Sequence, residues 1–185
     1  MRVEIVEEAE GTLPESVFPP GEKYFDLRAN PRAIERIAGA RQYLPLRNFL
    51  ASVNSEESIF ATASATTRSE LPATVSTDLA HEFASQARIV FAETSLNWER
   101  RHYVDLRSGL KELLERDTAD SVRAVLRISS CDFPAENRPG FCLDVRLVAE
   151  GETSQQAELR WGLGLARIQQ ALLFRSRTLK QQISE

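Results

Sequence analysis

A chain of 185 residues is long enough to bury one substantial core, and its length alone does not demand a second domain. Its composition, 42% hydrophobic and 27% charged with 8 Gly and 8 Pro, excludes the disordered, collagenous and low-complexity classes. A formal charge of −4 provides no global field for nucleic acid or an anionic membrane, and no apolar run has the length of a membrane span, so a cytoplasmic address is expected.

Arg2 to Val6 predicts a short edge strand, and its mixture of charge with Val and Ile is unlike a secretory signal. An acidic stretch (Glu7, Glu8, Glu10) and a Pro-rich connection (Pro14, Pro19, Pro20, Gly21) follow. Residues 1–30 therefore read as an extended leader, anchored by Phe18, Tyr24, Phe25 and Leu27 on a single domain of residues 31–185. Asn30 and Pro31 form a cap and first-turn pair for a helix to about Gln42. A second helix begins at Pro45, where Leu46, Phe49, Leu50 and Val53 fall at i, i+3, i+4 and i+7.

Ser58 to Thr67 reads as a strand of small side chains, and Ser69 to Asp78, with Pro72 and many hydroxyls, as a loop. Phe83, Ala87, Ile89 and Phe91 mark a longer strand that Asn97 closes. Trp98 to Val104 reads as another short strand, after which Asp105 caps a helix that aligns Leu106, Leu110, Leu113 and Leu114. The charged run Glu115, Arg116, Asp117 and Asp120 then turns the chain.

The clearest feature follows. Val122, Ala124, Leu126 and Ile128 alternate with Arg123, Val125, Arg127 and Ser129, and Phe141, Leu143, Val145, Leu147 and Ala149 repeat the pattern. Joined by a breaker-rich connection from Asp132 to Gly140, they predict an antiparallel hairpin with one buried face. Beyond Gly151, Thr153 and Gln156 fit a capping box, and Ala157, Trp161, Leu165, Ile168, Leu172, Leu179 and Ile183 recur at helical spacing. Ala157, Leu159, Trp161, Leu163 and Leu165 also alternate as a strand would, and Gly162 and Gly164 weaken a helix; the clear helical pattern from Ala166 favours helix. The expected fold is α+β: an antiparallel sheet of about five strands, helices mainly on one face and a long C-terminal helix.

Motifs that carry chemistry are missing, so no catalytic residue, metal or cofactor is assigned. Cys131 and Cys142 flank the hairpin loop and could face one another, yet His81 and His102 have no ligand spacing with them. Two reduced thiols acting as small side chains is the plainer reading. Gly162 and Gly164 lack the context of a phosphate loop and point to close backbone packing.

Two groups of residues are candidate binding surfaces. Arg88, Arg123, Arg127 and Arg146 all occupy the polar phase of their strands and would form a cationic panel for an acidic peptide, a phosphate-bearing ligand or a partner helix. Trp98, Arg100, Arg101, Tyr103 and Arg107, with His102, make a basic-aromatic cluster, though Glu99 and Asp105 dilute it and nucleic acid is not favoured. The long helix carries apolar residues on more than one side, namely Trp161 and Leu165 but also Leu159, Leu163, Leu173 and Phe174. These patterns suit a non-catalytic protein-interaction module or small subunit that meets another chain or itself. A small-molecule binding domain, with a cavity between sheet and C-terminal helix, is the alternative, and an enzyme using such a cavity a third.

Overall fold

The computed structural model describes residues 1–18, 25–72, 81–116 and 121–184. In chain order the elements are β1 (Arg2–Val6), β2 (Glu15–Ser16), a 3-10 turn (Pro31–Arg36), α1 (Ala38–Gln42), α2 (Leu44–Val53), β3 (Phe60–Pro72), β4 (His81–Phe91), a second 3-10 turn (Thr94–Trp98), α3 (Arg100–Glu115), β5 (Val122–Phe133), β6 (Arg138–Gly151) and α4 (Ser154–Ser184). The fold is α+β. Among the described residues the sheet has six strands, ordered β1-β5-β6-β4-β3, with β2 also beside β5.

The sheet is mixed, not purely antiparallel as the pattern suggested. β1 lies parallel to β5, with Arg2 opposite Arg123 and Val6 opposite Arg127, and β2 does the same farther along, with Glu15 opposite Cys131. A parallel pair needs a long connection, and here that connection is most of the chain, so no local turn signal could announce it.

The hairpin pairs antiparallel from Val122↔Ala149 to Phe133↔Arg138. Its connection is shorter than expected, because Asp132↔Pro139 and Phe133↔Arg138 still belong to the ladder and only residues 134–137 turn. Asn137 takes a φ of 48°, the left-handed conformation that asparagine tolerates best among residues with a β-carbon.

One face of the sheet carries Ala124, Leu126, Ile128, Leu143, Val145 and Leu147, all buried beneath α2, α3 and α4. α4 is continuous helix across residues 157–165, which settles the strand alternative. Its start is fixed by Thr153 Oγ1, which accepts a 3.1 Å bond from the Gln156 amide, while Gln156 Oε1 accepts one of 2.8 Å from the Glu152 amide. The glycine tolerated at 164 has a packing cause: a β-carbon there would stand 2.8 Å from Val122 Cγ1. Trp161 fills the centre of the layer, its indole N–H donating to Ser85 Oγ at 2.7 Å and its ring 4.6 Å from that of Phe83.

Three expected elements differ. Trp98 to Val104 is not a strand: Trp98 ends a 3-10 turn, α3 begins at Arg100, and Asp105 lies inside that helix instead of capping it. The buried stripe begins one turn earlier, at Tyr103, and continues through Leu106, Leu110 and Leu114. The helix expected from Asn30 to Gln42 is broken at Ile37, whose backbone is extended, and Asn30 makes no side-chain cap bond. β3 runs on to Pro72, into the stretch expected to be loop, because β4 supplies partners as far as His81. The rest of that expected loop, residues 73–78, lies outside the described residues, as do Tyr24, Pro19, Pro20, Gly21, Asp117 and Asp120.

Candidate interaction surfaces

Arg88, Arg123, Arg127 and Arg146 do share the face of the sheet opposite the helices, but they do not form an open cationic panel. Cross-strand register puts Asp144 of β6 between Arg88 of β4 and Arg127 of β5. Its Oδ1 accepts 2.9 Å from Arg88 Nε, and its Oδ2 accepts 3.2 Å from Arg127 Nη2 and 2.7 Å from Ser129 Oγ. Arg88 is buried and also donates to the Ser16 carbonyl at 3.0 Å, so the leader lies over it. Arg123 pairs with Glu4 of β1 at 3.1 Å, and Arg146 is exposed. A strand alternation shows which residues share a face; it does not show which neighbours neutralise them.

Burial opposes charge on Asp144, but the hydrogen bonds and positive field of Arg88, with Ser129 and Arg127, prevail and hold its carboxyl below the ordinary range. Arg88 shows the reciprocal effect: burial works against its charge, and the Asp144 hydrogen bond holds its guanidinium above its usual value.

The basic-aromatic cluster is dispersed in space. Tyr103 is fully buried, and its hydroxyl donates to Asn97 Oδ1; burial pushes that hydroxyl well above its ordinary pKa. Trp98 packs edge-on against Phe133 with centroids 5.1 Å apart, and the Arg138 guanidinium sits 4.9 Å over its ring. Arg100 pairs with Glu7 at 2.9 Å and Arg101 with Glu99 at 2.6 Å. Arg107 Nη1 stands 2.7 Å from the other Glu7 oxygen, an ion contact whose angle is not that of a hydrogen bond. A groove that tracks a phosphate backbone needs cations and aromatic faces open together, and this arrangement instead staples the leader to α3.

Cys131 and Cys142 are free thiols, both fully buried, and each donates weakly to the Ser129 carbonyl, at 3.7 and 3.6 Å. With Val17, Ala63 and Phe133 they form a second small core on the sheet's outer face, closed by the leader. The contact with Cys131 and burial push the Cys142 thiol far above its ordinary pKa, so neither the nucleophile nor the ligand form is favoured. His81 opens β4 opposite Gly151, and the His102 ring stands edge-on to Phe91 at 6.2 Å.

α4 has two apolar sides with opposite fates. Trp161, Ile168 and Leu172 are completely buried against the sheet and α3, whereas Leu159, Leu163 and Phe174 on the outer side are 65%, 61% and 55% exposed. Leu44 at the start of α2, next in sequence to the groove-lining Pro45, is 64% exposed as well. A groove of about 790 Å³ runs beside it, bounded by Pro45 and Asn48 of α2 and by Leu159, Gly162, Leu163 and Ala166 of α4. Near the other end, Phe174 borders a smaller groove of about 410 Å³ with Leu113, Arg116 and Gln170. Helical spacing flagged the leucines as doubly placed; only the packing tells which side remains wet.

Among the described residues Trp161, Leu165, Ile168 and Leu172 are buried in the layer between α4 and the sheet. A pocket of about 450 Å³ lies elsewhere, along the edge strand: its wall is Thr62 to Thr67 of β3, faced by Leu27, Arg36, Ile37 and Leu46.

Comparison with known proteins finds no matching family model, no matching curated protein and no matching solved structure. Among the described residues no helix is long and apolar enough to cross a membrane.

Proposed function

We propose that the protein is a non-catalytic interaction module, a cytoplasmic subunit or adaptor that docks another protein chain on the outer side of α4. The observation that carries this reading is the exposure of Leu159, Leu163 and Phe174 on a helix whose other side is fully buried. Single exposed leucines are ordinary, but large apolar side chains repeated along one side of a helix and bordered by a groove have the character of an interface. The sheet face is the weaker candidate, since Arg88, Arg123 and Arg127 are engaged by Asp144 and Glu4. A photo-crosslinking residue at Leu163, compared with one at the exposed Gln86 of the sheet face, tests the reading in the native cell. A covalent adduct with another chain from position 163 and not from 86 supports it. Adducts from 86 alone, or from neither, reject it.

A second reading rests on the pocket beside β3, whose volume and mixture of apolar walls with Thr66, Thr67 and Arg36 suit a small apolar ligand bearing an anionic group. A metabolite that raises the Tm of the wild type but not of Ala38→Trp, a substitution at the exposed rim of that pocket, would favour it.

A further inference from the structure

We infer that the segment docked on α4 is an amphipathic helix with acidic flanks; this rests on the reading of α4 as the docking face. The first argument is geometric. Leu159, Gly162, Leu163 and Ala166 occupy i, i+3, i+4 and i+7, the four corners of the hole that receives one side chain when two helices interlock. The exposed leucines are its walls and the small residues its floor. Pro45 of α2 flanks the Gly162 corner, where a β-carbon would stand 3.0 Å from its Cγ, so α2 walls one side of the hole and the side of Leu159, Leu163 and Ala166 remains exposed. An extended strand has no use for such a hole, because its side chains alternate across two faces. Phe174 lies farther along the same side, about 22 Å from Leu159 at the helical rise, so an occupant reaching both needs about four turns.

The second argument is charge. α4 carries Arg160, Arg167, Arg175, Arg177 and Lys180 against the single acid Glu158, a formal +4 on one helix of a chain whose total is −4. Arg175 turns inward against Gly109 of α3 and Glu158 borders the groove itself, so the cations available to a partner's flanks are Arg160, Arg167, Arg177 and Lys180. Arg160 binds the Glu150 carbonyl, which leaves its charge in place. A negative partner is therefore steered to this helix and repelled by the remainder of the molecule. A second copy fits less well: two α4 helices antiparallel across Leu159 and Phe174 would set Arg167 against its own counterpart. A bilayer also fits less well, since a planar surface makes no use of a groove between α2 and α4.

The test uses the full chain and two synthetic helical peptides of about 20 residues, each with Leu and Phe at heptad a and d positions, one with Glu on its flanks and the other with Lys. Fluorescence anisotropy should show the Glu peptide bound at least about tenfold tighter than the Lys peptide, with the difference shrinking at about 0.5 M salt. The double variant Leu159→Ser/Leu163→Ser, folded with an unchanged Tm, should lose about tenfold or more of that affinity. Equal binding of the two peptides, or undiminished binding by the double variant, overturns the inference. So does a concentration-dependent dimer abolished by the same substitutions, or their loss of binding to anionic phosphatidylserine vesicles in place of the peptide. A crosslink from position 163 to a chain lacking any acidic amphipathic helix would overturn this inference while leaving the docking face intact, whereas no crosslink at all removes both.

Discussion

Asp144 on β6 accepts a 2.9 Å hydrogen bond from Arg88 on β4 with both side chains buried, so a complete ion pair lies inside the sheet's outer face, under the leader. Two charges withdrawn from water are costly unless each is paired and hydrogen-bonded, and both conditions hold: Ser129 and Arg127 complete the carboxylate, and the Ser16 carbonyl takes another guanidinium N–H. Removing one partner leaves the other buried and uncompensated. Asp144→Asn is expected to cost about 3 kcal/mol in urea unfolding at neutral pH. Because the Asp144 carboxyl is held below its ordinary value, the unfolded chain binds more protons in acid. The stabilisation is therefore complete above the usual Asp range, near about pH 3.9, and is lost as pH falls through the lowered native value. The gap between wild type and Asp144→Asn should narrow accordingly in acid; a gap that is constant with pH would mean that the carboxylate charge contributes nothing.

The close approach of α4 to the hairpin makes Gly164 intolerant of a side chain. A β-carbon there would lie 2.8 Å from Val122 Cγ1 and 3.2 Å from both methyl groups of Leu147. Gly164→Val should destabilise by about 1–3 kcal/mol through overpacking, despite the gain in helix propensity over glycine. A midpoint equal to or above that of the wild type would show that the interface gives way cheaply.

Asn97 ends β4 by a side-chain clamp: its Oδ1 accepts 2.9 Å from the Phe91 amide and its Nδ2 donates 3.0 Å to the Phe91 carbonyl. The amide is buried, so its loss strands two backbone groups and the Tyr103 hydroxyl. Asn97→Ala is expected to cost about 1–3 kcal/mol. Amide exchange should accelerate most at Phe91 and along the start of α3, and a uniform acceleration over the whole molecule would argue against a local clamp.

The thiols are expected to be silent in the native state. Cys131 and Cys142 are completely buried, and Cys142 is held protonated by its neighbour and its surroundings. An aromatic disulfide reagent should react with both only at the rate at which the molecule opens, and rapidly in denaturant. Immediate reaction of either thiol in the folded protein would show that the leader does not seal this small core.

The parts of this structure legible in the sequence are those set by local period. The hairpin's buried row from Val122 to Ile128 and the α2 face of Leu46, Phe49, Leu50 and Val53 need only neighbours two, three or four positions away, and all are buried as expected. Distant pairing carries no such mark. Arg2 to Val6 reads as an edge strand and is one, but its parallel pairing, and β2 altogether, leave no local mark because their partner β5 lies most of the chain away. Trp98 to Val104 was misread as extended because the Tyr103-to-Leu114 stripe is recognisable only once the clamp at Asn97 is known to turn the chain. The arginines were placed on the correct face, but their neutralisation depends on register: Asp144 meets Arg88 and Arg127 only because β6 lies between β4 and β5. The outer leucines of α4 were visible as apolar residues on a second side, and their exposure follows from where α2 and α3 stop covering the helix.

Docking on α4 is the claim on which the functional account depends, and the double variant Leu159→Glu/Leu163→Glu tests it most directly. Both side chains are mostly exposed, so the unfolding free energy measured in urea should stay within about 0.5 kcal/mol of wild type. With folding unchanged, the account predicts that tagged wild type isolated from its native cell carries a stoichiometric second chain and that the double variant carries none. A second chain retained by the variant at the wild-type ratio would contradict it.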